Sequence, residues 1–196
     1  CFINLVFLNT FIFLLVFYTL GMDPNTLFEK TKIQITTDIS SLKDSNDSLL
    51  MIQSVKGFLH WYKNNYAKAN SFGFTYQDKQ GNYQVSMNQG KEYLYYLKSS
   101  GFISDKYVDI WLKYFKDRSQ YLLENPQNEG PPEGFEFDLV LITQEPELVL
   151  NEIDNLQFVV SENDGNKAIL QIVGEFGYDI ELIHENGKWK IEYIAT

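Results

Sequence analysis

Two histidines and one aspartate are the side chains of this sequence best suited to acid–base chemistry. His60 stands next to Trp61 and could act as a general base, because an imidazole titrates near neutral pH. A partly exposed histidine at the edge of a helix is the competing interpretation. His184 lies beside a predicted turn, where stacking on a tryptophan accounts for it. The two histidines lack the spacing of a metal site, and we expect no metal.

Asp138 begins the run Asp-Leu-Val-Leu-Ile, and polar residues follow this run at Gln144, Glu145 and Glu147. We predict a strand for the segment FEFDLVLIT, with Asp138 facing either a pocket mouth or solvent. A polar cluster at the end of a strand is typical of the rim of a ligand site. A solvated loop is the alternative interpretation of the same residues.

Several chemistries that depend on a local motif lose support. The sequence has no P-loop, no dinucleotide-binding glycine pattern, no serine-hydrolase elbow and no zinc-protease helix. The only cysteine is Cys1, which argues against cysteine catalysis and a Cys-ligated zinc site. We therefore expect no cofactor.

The charge of the chain argues against two classes of partner. The formal net charge is −10 and the pI is about 4.6, whereas nucleic-acid binding requires a basic surface. Anionic membrane surfaces are disfavoured for the same reason. An acidic surface mainly keeps a protein soluble.

Residues 1–21 contain no charged side chain and are rich in Phe, Leu, Ile and Val. An apolar segment of this kind is typical of a secretory signal peptide, and Thr19 and Gly21 offer small residues for cleavage. A membrane anchor is the rival interpretation, since about 20 apolar residues can span a bilayer. The third interpretation is that Met22 is the true start of the protein. We expect a secreted or periplasmic protein, membrane-anchored only if residues 1–21 stay uncleaved.

The rest of the chain predicts one α+β domain over residues 48–196, preceded by a flexible segment over residues 22–47 with a short strand in KIQITT. Periodic apolar residues and capping side chains predict three helices. These are 49–68 after an N-cap at Asp47 or Ser48, 91–99, and 105–124 after an N-cap at Ser104.

The last third predicts two β-hairpins, each joined by a type I′ turn at an Asx-Gly pair. The first turn, Asp164-Gly165, pairs Glu162 with Lys167 and Val160 with Ile169, in strands from the middle of a sheet. The second turn is Asn186-Gly187. Its predicted apolar pairs are His184 with Trp189, Leu182 with Ile191 and Ile180 with Tyr193. Its predicted polar face pairs Glu185 with Lys188, Ile183 with Lys190 and Glu181 with Glu192.

Helices followed by antiparallel strands predict an α+β fold in which N-terminal helices pack on a curved antiparallel sheet. The order of VKGFLHWYKNNY, ISDKYVDIWLKYF, GFEFDLVLITQEPE and ENGKWKIEYI resembles the nuclear transport factor 2-like superfamily, which has a cone-shaped, cystatin-like α+β fold. More narrowly, the first three segments resemble a family of uncharacterised secreted bacterial proteins. The resemblance covers roughly residues 50–196 and implies a pocket enclosed by the sheet.

We predict a non-catalytic domain that binds a small ligand or a protein partner, which includes an immunity or inhibitor role; a homodimer is left open. The candidate pocket or rim residues are Trp61, Tyr62, Tyr66, Tyr96, Asp138, Gln144 and Trp189. The alternative is an isomerase- or dehydratase-type enzyme, since the resembled superfamily includes ketosteroid isomerase, with its carboxylate and tyrosine site. The residues of matching type here are Asp138, Tyr62, Tyr66, Tyr93, Tyr96 and His60.

Overall fold

The computed structural model describes the backbone of residues 24–196 and the side chains of residues 29–37 and 44–196. The predicted leader, residues 1–21, and Met22 lie outside the described residues. Within the part that is described, no helix is both long enough and apolar enough to cross a bilayer. The chain divides between Asp47 and Ser48 into two units, and the second holds the sheets and the candidate site.

The fold is α+β, as predicted. The helices are α1 (Pro24–Ala69), α2 (Met87–Lys98), α3 (Asp105–Glu124) and α4 (Pro146–Asn151). A two-stranded antiparallel sheet consists of β1 (Thr75–Gln77) and β2 (Tyr83–Val85). A four-stranded antiparallel sheet consists of β3 (Gln157–Asn163), β4 (Lys167–Val173), β5 (Tyr178–Glu185) and β6 (Lys188–Ala195), in that order.

The first helix is longer than predicted. The strand in KIQITT and the N-cap at Asp47 or Ser48 are both wrong, because α1 passes through all of these residues. The hydroxyls of Thr36 and Thr37 donate to main-chain carbonyls one turn earlier, at 2.8 and 2.9 Å. A threonine inside a helix can form this bond to the carbonyl four residues earlier. The flexibility of residues 22–47 stays a prediction.

Side-chain caps set the starts of α2 and α3. The Oγ of Ser104 accepts from the N–H of Tyr107 at 3.1 Å, so α3 has the predicted bounds. Helix α2 begins four residues before the predicted position, because Ser86 caps it by accepting from the N–H of Gln89. Capping oxygens satisfy N–H groups that the first helical turn leaves without partners.

The register predicted for the β3–β4 hairpin is wrong. Asn163 pairs with Ala168, and a register shift at Ser161 follows. Gly165 has the positive φ of 88° that the turn needs. Asp164, however, accepts with Oδ1 from the main-chain N–H groups two and three residues later, at 2.8 and 2.6 Å, which widens the turn. The observed partners are Val160 with Leu170 and Glu162 with Ile169, not Val160 with Ile169 and Glu162 with Lys167. Strand β3 lies at the sheet edge, not in its middle.

The β5–β6 hairpin has the predicted type I′ turn, with φ of 53° at Asn186 and 75° at Gly187. Its register is confirmed from the turn as far as Leu182 and Ile191. Beyond them the register shifts by one residue and makes Glu192 the extra residue of a bulge. Two predicted pairs are therefore wrong: Glu181 faces Tyr193 rather than Glu192, and Ile180 faces Ile194 rather than Tyr193.

The interior of the second unit is filled by side chains. On α1 the predicted apolar stripe is buried at Val55, Leu59 and Tyr62, each at most 1% exposed. The outer edge of β6 is also covered, because the Ile191 N–H donates to the Phe102 carbonyl at 2.8 Å. A covered edge removes a template for pairing with other chains.

Candidate ligand-binding cleft at Tyr66 and Asp138

Asp138 lies in a tight loop, residues 138–143, and not in the predicted strand. We call this segment the Asp138 loop. The Asp138 N–H donates to the Thr143 carbonyl at 2.9 Å, and the Ile142 N–H donates to the Asp138 carbonyl at 2.7 Å. Residues 139–141 are all buried. Successive residues of a strand point to opposite faces, so a one-sided strand cannot bury three in a row, whereas this loop does.

Three hydrogen-bond donors converge on the Asp138 carboxylate. Its Oδ1 accepts from the main-chain N–H groups of Val140 and Leu141 at 3.0 and 2.7 Å. Its Oδ2 accepts from the Tyr62 hydroxyl at 2.6 Å. Burial raises the pKa of this carboxyl above its ordinary value, and the three hydrogen bonds oppose that rise. The donors thus hold a carboxylate in place inside the fold.

Buried tyrosines fix the Asp138 loop from the other side. Burial raises the pKa of the Tyr62 phenol, and the neighbouring Tyr93 and Asp138 raise it further, so Tyr62 stays protonated and donates. The Tyr178 hydroxyl donates to the Leu141 carbonyl at 2.7 Å. One loop is therefore anchored by phenols from α1 and from β5, which makes its position rigid.

An open cleft of about 510 Å³ lies above this loop. Its lining residues are Tyr66, Asn70, Phe135, Glu136, Phe137, Asp138, Gln144 and Pro146. Tyr66 packs edge-on against Tyr62, with ring centroids 5.6 Å apart. Asp138 thus has its carboxylate held by Tyr62 and is itself one of the residues that border the cleft. Aromatic walls with a few fixed polar groups are typical of small-molecule sites.

Four of the predicted site residues come together here. Tyr66, Asp138 and Gln144 line the cleft, and Tyr62 supports Asp138 from beneath. They come from α1, from the Asp138 loop and from the segment before α4. These residues lie far apart in the sequence, so no single motif could predict them as one site.

The other predicted residues lie elsewhere. Trp61 and Tyr96 pack against each other with centroids 5.3 Å apart, and the Tyr96 hydroxyl donates to Asn65 Oδ1 at 2.7 Å. Trp189 is 4% exposed and contacts His184 with ring centroids 5.0 Å apart, as predicted, but the rings are tilted by 48° and not stacked. None of the three belongs to the cleft lining. Trp61, Tyr96 and Trp189 therefore pack against neighbouring side chains away from it.

His60 is also outside the cleft, with Nε2 3.1 Å from Asp154 Oδ1 at a half-exposed position. Its observed partner, Asp154, is not one of the predicted site residues. Sequence reasoning missed the five other lining residues, which are Asn70, Phe135, Glu136, Phe137 and Pro146. A usable signal existed for Asn70, because it lies four residues after Tyr66 and side chains at that spacing share a helix face.

Two further grooves lie on the second unit. One, of about 290 Å³, is bordered by Leu50, Phe102 and Trp189; among the described residues, the buried Trp189 indole nitrogen has no hydrogen-bond partner. The other, of about 430 Å³, is bordered by several carboxylates, including Glu192. Lys167 Nζ lies 3.1 Å from Glu192 Oε2, and this hydrogen bond raises the pKa of the lysine.

Within the described part of the chain, no group of three or more His, Cys, Asp or Glu side chains could hold a metal ion. Asp138 in particular commits three acceptor positions to protein donors. Comparison of the chain with protein-family models, with curated proteins and with solved structures gave no match in any of the three.

Proposed function

We propose that this protein is a non-catalytic binding domain whose cleft at Tyr66 and Asp138 takes a small ligand. The observation that carries the proposal is the Asp138 carboxylate, fixed by Tyr62 and two main-chain amides in a residue that borders an open cleft. A polar group held by its own supports binds without rearranging, which lowers the cost of association. Asn70 and Gln144 add amide groups that can donate and accept beside it.

Binding is favoured over catalysis for two reasons. A general base needs a free acceptor position aimed at the substrate, whereas protein donors take three of the about four acceptor positions of the Asp138 carboxylate. Enzymes also gain from excluding water around the reacting atoms, and this cleft is open. The isomerase- or dehydratase-type alternative has one observation in its favour, the 2.6 Å bond between Tyr62 and Asp138.

We also propose a cone-shaped fold and a secreted location for this protein. The four-stranded antiparallel sheet and the resemblance of four segments support a cone-shaped fold of the nuclear transport factor 2-like type. The uncharged residues 1–21 support secretion. The acidic groove at Glu192 supports an immunity- or inhibitor-like contact with a basic protein as the partner-binding form of the function.

The proposal is tested by thermal unfolding of the protein against a library of small metabolites. A ligand at about 100 times its Kd stabilises the folded state by about 2.7 kcal/mol. For a chain of this size that is a rise of about 5–10 °C in Tm. We expect compounds that stabilise the wild type to lose most of their effect in the Gln144→Ala variant.

The matched control is Gln120→Ala, which removes another exposed glutamine, on α3 and away from the cleft lining. Stabilising compounds should act on this variant as they act on the wild type. Compounds that stabilise all three proteins equally, or a library without any stabilising compound, would count against the proposed site.

A further inference from the structure

We infer that the cleft at Tyr66 and Asp138 is built for a small organic cation, an amine or a quaternary ammonium group. The inference rests on the proposed function and specifies the class of ligand. Its support is the charge of the cleft, the aromatic rings that border it and its dimensions.

The charge of the cleft has one sign. Its lining carries the carboxylates of Glu136 and Asp138, and no lysine or arginine is among the described residues that border it. The pKa of Asp138 is raised by burial first, and the negative charge of Glu147 in α4 raises it further. A cation in the cleft would offset both effects, whereas an anion would add to the repulsion.

Aromatic side chains supply the second feature. Tyr66, Phe135 and Phe137 border the same cleft as the two carboxylates. The face of an aromatic ring attracts a cation within about 6 Å of its centroid, and this attraction is the means by which proteins recognise quaternary ammonium groups. Phe135 is held in place by stacking on Phe115, with ring planes 14° apart, so this wall is fixed.

The dimensions separate an organic cation from a metal ion. A cleft of about 510 Å³ has room for a ligand of several heavy atoms. Asp138 has two main-chain donors on Oδ1 and the Tyr62 hydroxyl on Oδ2. It therefore offers its charge rather than a set of open coordination positions. A cation with methyl or methylene groups uses both the charge and the rings.

The test compares three probes of nearly the same shape: choline, the neutral 3,3-dimethylbutan-1-ol and the anionic 3,3-dimethylbutanoate. Binding is followed by NMR titration of the full chain, through the main-chain amides of Val140 and Leu141 and the side-chain amides of Asn70 and Gln144. We expect saturable shifts with choline, binding about tenfold weaker for the neutral alcohol, and no saturation with the anion.

Asp138→Asn should weaken choline binding by about tenfold or more, because it removes a negative charge that attracts the cation. Its matched control is Asp109→Asn, which removes the same charge from an exposed position on α3 and should leave choline binding unchanged. Thermal unfolding verifies that each variant is folded. If Asp138→Asn does not fold, Glu136→Gln, at an exposed carboxylate of the lining, takes its place, with an expected weakening of about two- to fivefold because exposed charges attract less strongly.

The outcomes separate the ligand class from the proposed function. Equal binding of choline and the alcohol at these amides overturns the cation inference and leaves the ligand site standing. Choline shifts that persist in Asp138→Asn, or that map to the groove at Glu192, overturn the inference as well. If no probe moves these amides, the cation inference is wrong, and the Gln144 comparison decides the proposed function independently.

Discussion

Tyr62→Phe removes the hydrogen bond that supports Asp138, together with the side-chain hydrogen bond between Tyr62 and the buried Tyr93. Tyr62 is fully buried, and phenylalanine keeps its ring, so the change opens no cavity beyond the lost oxygen. The lost bond to Asp138 is 2.6 Å long and joins a phenol to a carboxylate. Hydrogen bonds to charged groups contribute about 1.5–3 kcal/mol, and we expect a loss of about 2 kcal/mol in the free energy of unfolding at neutral pH.

The loss should depend on pH in a defined direction. Because burial raises the pKa of Asp138 in the folded state, the stability linked to this group is present below the unfolded pKa and is lost as pH rises through the folded pKa. Removing a donor raises the folded pKa further. The Tyr62→Phe defect should therefore be largest at neutral pH and fall to about 1 kcal/mol in acid, where a neutral bond is lost.

Urea denaturation at a series of pH values measures this difference, with Tyr178→Phe as the matched control. Tyr178 donates to the Leu141 carbonyl of the same loop, so its loss of about 1 kcal/mol should not change with pH. A Tyr62→Phe defect that is equal at neutral and acid pH would refute the account, because Asp138 would then not be an ionised acceptor.

Two further predictions concern the rest of the second unit. We expect Lys167→Ala to lower the free energy of unfolding more in the wild type than in the Glu192→Gln variant, because in the wild type it leaves the buried Glu192 carboxylate without its cation. Equal shifts of the urea midpoint in both backgrounds would exclude this coupling. Ser104→Ala should cost about 1 kcal/mol of unfolding free energy through the lost cap of α3, while Ser119→Ala inside the same helix should cost less in the same assay, and the reverse order would contradict the capping role.

Local signals predicted the elements whose causes are local. Helix α3 follows from the cap at Ser104 and an apolar stripe, and the last turn follows from Asn186-Gly187, whose positive φ angles suit those residues. The bulge at Glu192 was missed because its partner, Lys167, lies on β4, 25 residues earlier. The period of two in β6 cannot reveal a contact with another strand.

The candidate site could be predicted only in part, because only some of its residues carry a local signal in the sequence. Position at the ends of an apolar run predicted Asp138 and Gln144, residue type on one helix face predicted Tyr62 and Tyr66, and the structure brings the four together. The predicted strand around Asp138 failed because a run of apolar residues is compatible with both a buried strand and a buried loop. An aspartate that accepts from the N–H groups two and three residues later favours the turn.

The titration of the Asp138 carboxyl carbon by NMR, with and without choline, tests the central claim most directly. We expect the pKa of Asp138 to lie above the ordinary aspartate value of about 3.9 in the free protein and to fall once choline occupies the cleft. The signal is assigned by its loss in Asp138→Asn. A pKa at or below the ordinary value, or a titration that choline leaves unchanged, would contradict the account.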